Sequence, residues 1–245
     1  MNYIHSENIH NTSSANLIIP IVNQIINPDS VLDIGCGIGT WLSVFKEYGV
    51  NEVLGVDGDY VSKSLLSKYL SEEEFISHDL NIPLNLNRKF DLALCLEVAE
   101  HISEKSSEVL VKTLINHSDI ILFSAAIPGQ GGQHHVNEKW PEYWQKLFLI
   151  QDFYFYDIIR PQVWNDERIE FWYKQNIFLV VRKGVYVKEF NLSSPLSIVH
   201  PDLLFFKNNE LLKAHEKLGN IFSGNESLKF YFSLLKKRFF KIIKN

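Results

Sequence analysis

Residues 31–42, VLDIGCGIGTWL, constrain the fold of this chain more than any other stretch. A short apolar run of strand length enters a turn bearing Gly35, Gly37 and Gly39, and helical apolar spacing follows. Glycine is needed where the backbone turns left-handed or where a ligand approaches too closely for a side chain. Strand, glycine turn and helix in that order form the first crossover of a parallel α/β sheet. The spacing is G-x-G-x-G, not the G-x-G-x-x-G that opens a helix onto a pyrophosphate. Asp33 stands in the strand end just before the first glycine. A carboxylate there suits a cationic amino group better than a diphosphate.

The rest of the first 183 residues repeats the alternation. Ser13 and Ser14 precede a helical pattern over 15–26, with a serine cap expected at its start. Strands are expected at 30–35, 52–57, 74–80, 89–98 and 119–128, and helices at 40–49, 60–70 and 103–118. Gly49 is placed to end the second helix. After Pro128 a glycine-rich loop leads to a helix over 141–148 and two late strands, FYFYDIIR and NIFLVVRK. Two closing strands after five strand–helix units suit a hairpin with an antiparallel edge strand. NLSSPLSIVHP, 191–201, reads as a linker, and two helical stretches follow it.

DIGCGIG resembles the first motif of class I S-adenosylmethionine-dependent methyltransferases, and the other motifs of that family fall in order behind it. The resemblance covers about residues 11–183. It implies an α/β, Rossmann-like, three-layer fold: a seven-stranded, mostly parallel sheet with an antiparallel edge strand, plus a helical C-terminal appendage. The methyltransferase domain would span 1–185 and the appendage 186–245. S-adenosyl-L-methionine is the implied cofactor. Gly35, Gly37 and Gly39 would pass its sulfonium portion, with Asp33 beside them. Asp57 would hold the ribose hydroxyls, and Asp79 the adenine amino group with Leu80 flanking the ring. Leu96, in FDLALCLEV, would lie beside the methionine part.

EVAEHI sets Glu97, Glu100 and His101 at i, i+3 and i+4, one side of the chain if it turns helically. The loop after the fifth strand carries His134 and His135, and both segments end at the carboxyl rim of the sheet, where ligands bind. Two chemistries fit. Glu97, Glu100, His101 and His135 would bind a divalent metal, Mg2+ or Mn2+, that lowers the pKa of an attacking hydroxyl. Alternatively His135 or His101 is a metal-free general base. In a third reading the carboxylates only touch the cofactor or cap a helix. ExxEH with a later histidine is similar to the metal site of small-RNA 2'-O-methyltransferases, although their second histidine lies farther along the chain.

SAAIPGQGGQHHVNEKWPEYW most resembles bacterial methyltransferases associated with surface polysaccharides and glycans. That points to a sugar, or a sugar-linked intermediate, as the molecule methylated on oxygen; the alternatives are another small hydroxylated or phosphorylated metabolite, or a non-catalytic methyltransferase-like subunit. Asn137 and Glu138 would read hydroxyls and Trp140 would stack on a ring. Trp140 and Trp144, four apart, fit a core stripe equally well. Gly129, Gly131 and Gly132 suit either a closing loop or a plain connector.

Charge narrows the partners. The formal net charge is -5, and from Glu226 onward one acid faces six basic residues, so only the tail is basic. No nucleic acid is expected, because phosphate binding needs clustered positive charge. The tail places Leu228, Tyr231, Phe232, Leu235, Phe239 and Ile242 at helical spacing, a face for self-association, docking on the domain, or peripheral contact with an anionic membrane. The first residues lack the pattern of a signal peptide, no apolar run is long enough to span a bilayer, and Cys36 and Cys95 read as free buried thiols. A cytoplasmic protein is expected, at most peripheral to the inner membrane.

Overall fold

The computed structural model of the chain describes residues 4–6, 10–185 and 197–243, the last few by backbone alone. They form two compact units, Met1–His200 and Pro201–Asn245. The expected boundary at 185 falls beside residues 186–196, which lie outside the described residues, as does most of the expected linker.

The first unit holds strands β1 (Ser30–Ile34), β2 (Glu52–Asp57), β3 (Phe75–Ser77), β4 (Leu92–Leu96), β5 (Ile120–Ser124), β6 (Phe153–Tyr156) and β7 (Phe178–Arg182). Their spatial order is β3-β2-β1-β4-β5-β7-β6. β1 to β5 pair in parallel, while β7 runs antiparallel to both β5 and β6 and slots between them. The antiparallel pairing is therefore at the expected edge, with β6 outermost.

The closing connection is longer than a hairpin turn. Residues 157–177 contain α6 (Arg160–Val163) and α7 (Phe171–Asn176), two helices too short to show a period in the sequence. The expected helix over 60–70 is likewise reduced to α3 (Lys63–Leu66).

α1 (Ser13–Ile25) and α2 (Thr40–Glu47) cover one face of the sheet; α4 (Ser107–His117) and α5 (Pro141–Leu149) cover the other. β4 shows why its sequence reads as unbroken apolar. Leu92, Leu94 and Leu96 enter the first core layer, Ala93 and Cys95 the second, and all five are buried. Phe123 of β5 anchors the second layer, with Trp144, Phe148 and Phe155 rings 5.6, 5.4 and 6.0 Å from its own.

The expected serine cap of α1 is corrected by these packing demands. No side chain caps the helix through its N-cap residue, Thr12; instead Asn11 Oδ1 accepts the Ser13 N–H at 2.9 Å. Ser14 is buried and its hydroxyl bonds Glu170. At the end of α2, Gly49 takes φ 90° and returns its N–H to the Lys46 carbonyl, as a C-terminal glycine does.

The second unit comprises α8 (Pro201–Phe222) and α9 (Leu228–Ile243). Tyr231 Oη donates to the Ile221 carbonyl at 2.8 Å across their turn. Leu228, Phe232, Leu235 and Phe239 are exposed along one stripe of α9. No helix among the described residues is long and apolar enough to cross a membrane.

Candidate active site

The strand order reverses between β1 and β4, so a crevice opens beyond their carboxyl ends. The glycine turn lies on one side of it. Gly35, Gly37 and Gly39 have φ of 87°, 54° and 87°, a region L side chains avoid. A Cβ on Gly35 would sit 2.3 Å from a Val98 methyl, and one on Gly39 would sit 2.6 Å from Leu70. Val98 and Leu70 thus fill the space that side chains at Gly35 and Gly39 would need.

Asp33 is buried beneath this turn, and its pKa is raised to about 8, first by desolvation and then by the nearby Asp57 charge. A carboxyl in that state takes on charge when a cation arrives, which fits the amino-acid end of S-adenosylmethionine. Asp57 closes β2 and accepts the Gly37 N–H at 2.7 Å, the Gly58 N–H at 2.6 Å and the Tyr60 hydroxyl at 2.6 Å. Asp79 receives both the backbone and the amide of Asn81, at 2.9 and 3.0 Å, and these bonds hold its carboxyl below the usual range. Leu80 beside it and Leu96 at the end of β4 are buried.

The second group of side chains lies past β4. Glu100, His101 and His135 bring one ligand atom each to within 4.8 Å of one another. Glu100 is 1% exposed and neither carboxylate oxygen has a hydrogen-bond partner of good geometry. Desolvation and then the Glu97 charge push its pKa well up. Burial and the neighbouring His135 lower the pKa of His101 to about 4, so its imidazole is neutral at pH 7. His135 Nδ1 lies 2.8 Å from Glu138 Oε1, leaving Nε2 facing Glu100 Oε1 at 3.9 Å.

Glu97 does not join this group, which corrects the expectation that all of ExxEH shares one side. Only residues 99–101 make a helical turn, and Glu97 itself adopts φ 54°. Its carboxylate turns instead to Asn176 Nδ2 at 3.1 Å and Gln130 Nε2 at 2.8 Å. Burial raises its pKa to about 7 against the pull of these donors. Gln175 extends the network, donating to Asn176 Oδ1 at 3.0 Å and accepting the His200 N–H at 2.8 Å. Sequence reasoning misses Gln130, Gln175 and Asn176. The one signal for the last two is KQN, three polar residues before an apolar strand, all of them buried.

The loop after β5 is held from within. Glu138 accepts the Gly129 and Gly131 N–H groups at 2.7 Å each as well as His135. Burial opposes its ionisation, but those bonds outweigh it and hold the pKa low. Asn137 is buried and gives its amide to Ser107 Oγ at 3.0 Å. Both therefore organise the loop, while Asn137 Oδ1 is buried with no hydrogen-bond partner. Trp140 is 40% exposed while Trp144 is core, so the two do not share one buried stripe. Gly132 leaves room for the His135 ring, which a Cβ would meet at 2.2 Å. His134, at φ 59°, is exposed.

A sheet of this order, a left-handed glycine turn after β1 and acids at the carboxyl ends of β1 and β2 define a class I S-adenosylmethionine-dependent methyltransferase fold. The chain belongs to the Methyltransferase domain family, whose sequence pattern matches residues 12–148. No curated protein matches it in sequence. Among solved structures it is similar to the sugar N-methyltransferase KedS8 of Streptoalloteichus, with 13% identity and TM-score 0.56, over 74% of this chain and 94% of that one. It is also similar to the small-RNA methyltransferase HEN1, with 15% identity and TM-score 0.51, over 82% of this chain and 28% of that one. Similarity to LaPhzM is 12% in identity with TM-score 0.48, covering 69% of this chain. The chain spans little more than half of LaPhzM, 55%.

Proposed function

We propose that the protein transfers a methyl group from S-adenosylmethionine to a hydroxyl of a sugar, or of a sugar-linked intermediate of a bacterial surface polysaccharide. In this reading a divalent cation, Mg2+ or Mn2+, is held by Glu100, His101 and His135. The observation that carries it is Glu100, a buried carboxyl whose oxygens have no hydrogen-bond partner of good geometry, facing one neutral imidazole and a second oriented by a carboxylate. Buried acids without partners are costly. A carboxylate–histidine pair pointing at a shared centre is the usual support of a metal ligand.

The cofactor supplies a sulfonium-bound methyl group as the electrophile. Asp33 and the glycine turn fix the donor, and the crevice keeps water from the line of attack. As the S–CH3 bond breaks and the O–CH3 bond forms, the acceptor hydroxyl loses its proton. A cation on Glu100, His101 and His135 would favour that loss by stabilising the alkoxide. Such a site would also grip two neighbouring hydroxyls, which favours a sugar over a simple alcohol. Trp140, which is exposed, offers a face for the C–H side of a ring. The net negative charge ahead of the tail argues against an RNA acceptor.

A second reading has its own support. Glu138 on Nδ1 leaves His135 Nε2 as a basic nitrogen able to take the acceptor proton with no metal. Calorimetry with S-adenosylhomocysteine, followed by turnover on a panel of nucleotide sugars before and after exhaustive chelation, separates them. The metal reading expects turnover to vanish on chelation and return with Mn2+ or Mg2+. Turnover that survives chelation ends it, and sugar panels left unmethylated by active enzyme end the sugar assignment.

A further inference from the structure

Two adjacent residues ahead of α1, Ile4 and His5, touch the loop before His135 and the glycine turn respectively. Ile4 N–H donates to Gln133 Oε1 at 2.8 Å and Gln133 Nε2 donates back to the Ile4 carbonyl at 3.2 Å. Gln133 is two residues before His135. The next residue, His5, lays its ring over Gly37, 3.2 Å from where a Cβ would be. The same ring is nearly parallel to Tyr60, 7° apart in plane and 6.1 Å between centroids. Tyr60 in turn donates to Asp57 Oδ1 at 2.6 Å.

These contacts have one shape. Tyr60 Oη occupies the place at Asp57 where a ribose hydroxyl would donate. Burial, then the neighbouring His10, lower the pKa of His5, which favours its uncharged ring beside Gly37 and Tyr60. Such a ring suits a nucleoside and offers nothing to a phosphate.

We propose that residues 4–6 are a latch over the nucleoside end of the cofactor groove, with His5 and Tyr60 as a cofactor-positioning pair and the Ile4–Gln133 clasp tying the latch to the His135 loop. This rests on the methyltransferase reading. On binding, the ribose takes Asp57 from the Tyr60 hydroxyl while the two rings stay over the nucleoside. Cofactor occupancy and the order of the acceptor loop are then linked through a single stretch of chain.

The test is titration calorimetry of the full chain with S-adenosylhomocysteine. His5→Ala is expected to weaken binding about tenfold, the scale of one lost aromatic contact. His5→Phe, which keeps a ring, should restore most of it, a rescue that general loss of folding would not give. Tyr60→Phe keeps the ring but removes the competing hydroxyl, so binding should tighten several-fold. Gln133→Ala should weaken binding. Combining His5→Ala with Gln133→Ala should cost less than the product of the two single losses, because both open one latch. His5→Ala within twofold of wild type, or Tyr60→Phe weakening the complex, overturns the latch. Wild-type chain with no affinity for S-adenosylhomocysteine would instead overturn the methyltransferase reading beneath it.

Discussion

If Asp33 faces the cationic end of the cofactor, the cofactor's affinity should depend on pH. Burial, and then the nearby Asp57 charge, push its carboxyl pKa up to about 8. At pH 6 about 1% of molecules carry the charge there, and at pH 7 about 9%, for a site titrating at about 8. If the cationic end of the cofactor is held by the charged form, affinity should rise about tenfold from pH 6 to pH 7, equivalent to ~1.4 kcal/mol. Binding at pH 7 should also release about 0.9 proton per cofactor, because the site then stays ionised. Calorimetry with S-adenosylhomocysteine in two buffers of different ionisation heat reads both quantities. Asp33→Asn should abolish the slope and the proton release. A flat affinity over that range, or an unchanged slope in the Asn variant, refutes the placement of Asp33 against a cation. The sign for stability is opposite. A folded-state acid with a raised pKa holds its proton where the unfolded chain has lost it, so the empty protein loses stability as pH climbs from about 4 toward 8.

Two further outcomes are expected. Gly35→Ala combines a left-handed φ of 87° with a Cβ 2.3 Å from Val98, so chemical denaturation should show a loss of at least about 2 kcal/mol, and cofactor affinity should fall with it. Ending the chain after Asn225 removes the exposed Leu228, Phe232, Leu235 and Phe239 stripe and should lower self-association measured by light scattering. Loss of binding to anionic vesicles, with oligomeric state unchanged, would assign the stripe to a lipid surface instead.

The part of this site legible in the sequence is the part made locally. β1, its glycine turn and α2 are contiguous, so strand length, left-handed glycines and helical period are all written within residues 30–47. The positions of Asp57, the last residue of β2, and Asp79, just past β3, were legible for the same reason. Leu92 to Leu96 read as a buried strand because both faces are covered. Helices α6 and α7 escaped, since four and six residues are too few to display a period.

What only the tertiary structure decided is where side chains at the crevice point. Helical spacing put Glu97 with Glu100 and His101, but a left-handed Glu97 turned it to Gln130 and Asn176, residues 33 and 79 positions away. Glu138 has the chemistry of a sugar ligand, yet its oxygens are bonded to Gly129, Gly131 and His135. His5 carried no signal at all, because its meaning comes from Gly37 and Tyr60, met only across the folded groove. Periodicity reports which face of an element is buried. The direction of a polar group is chosen by partners distant in sequence, once burial has made an unpaired group too costly to keep.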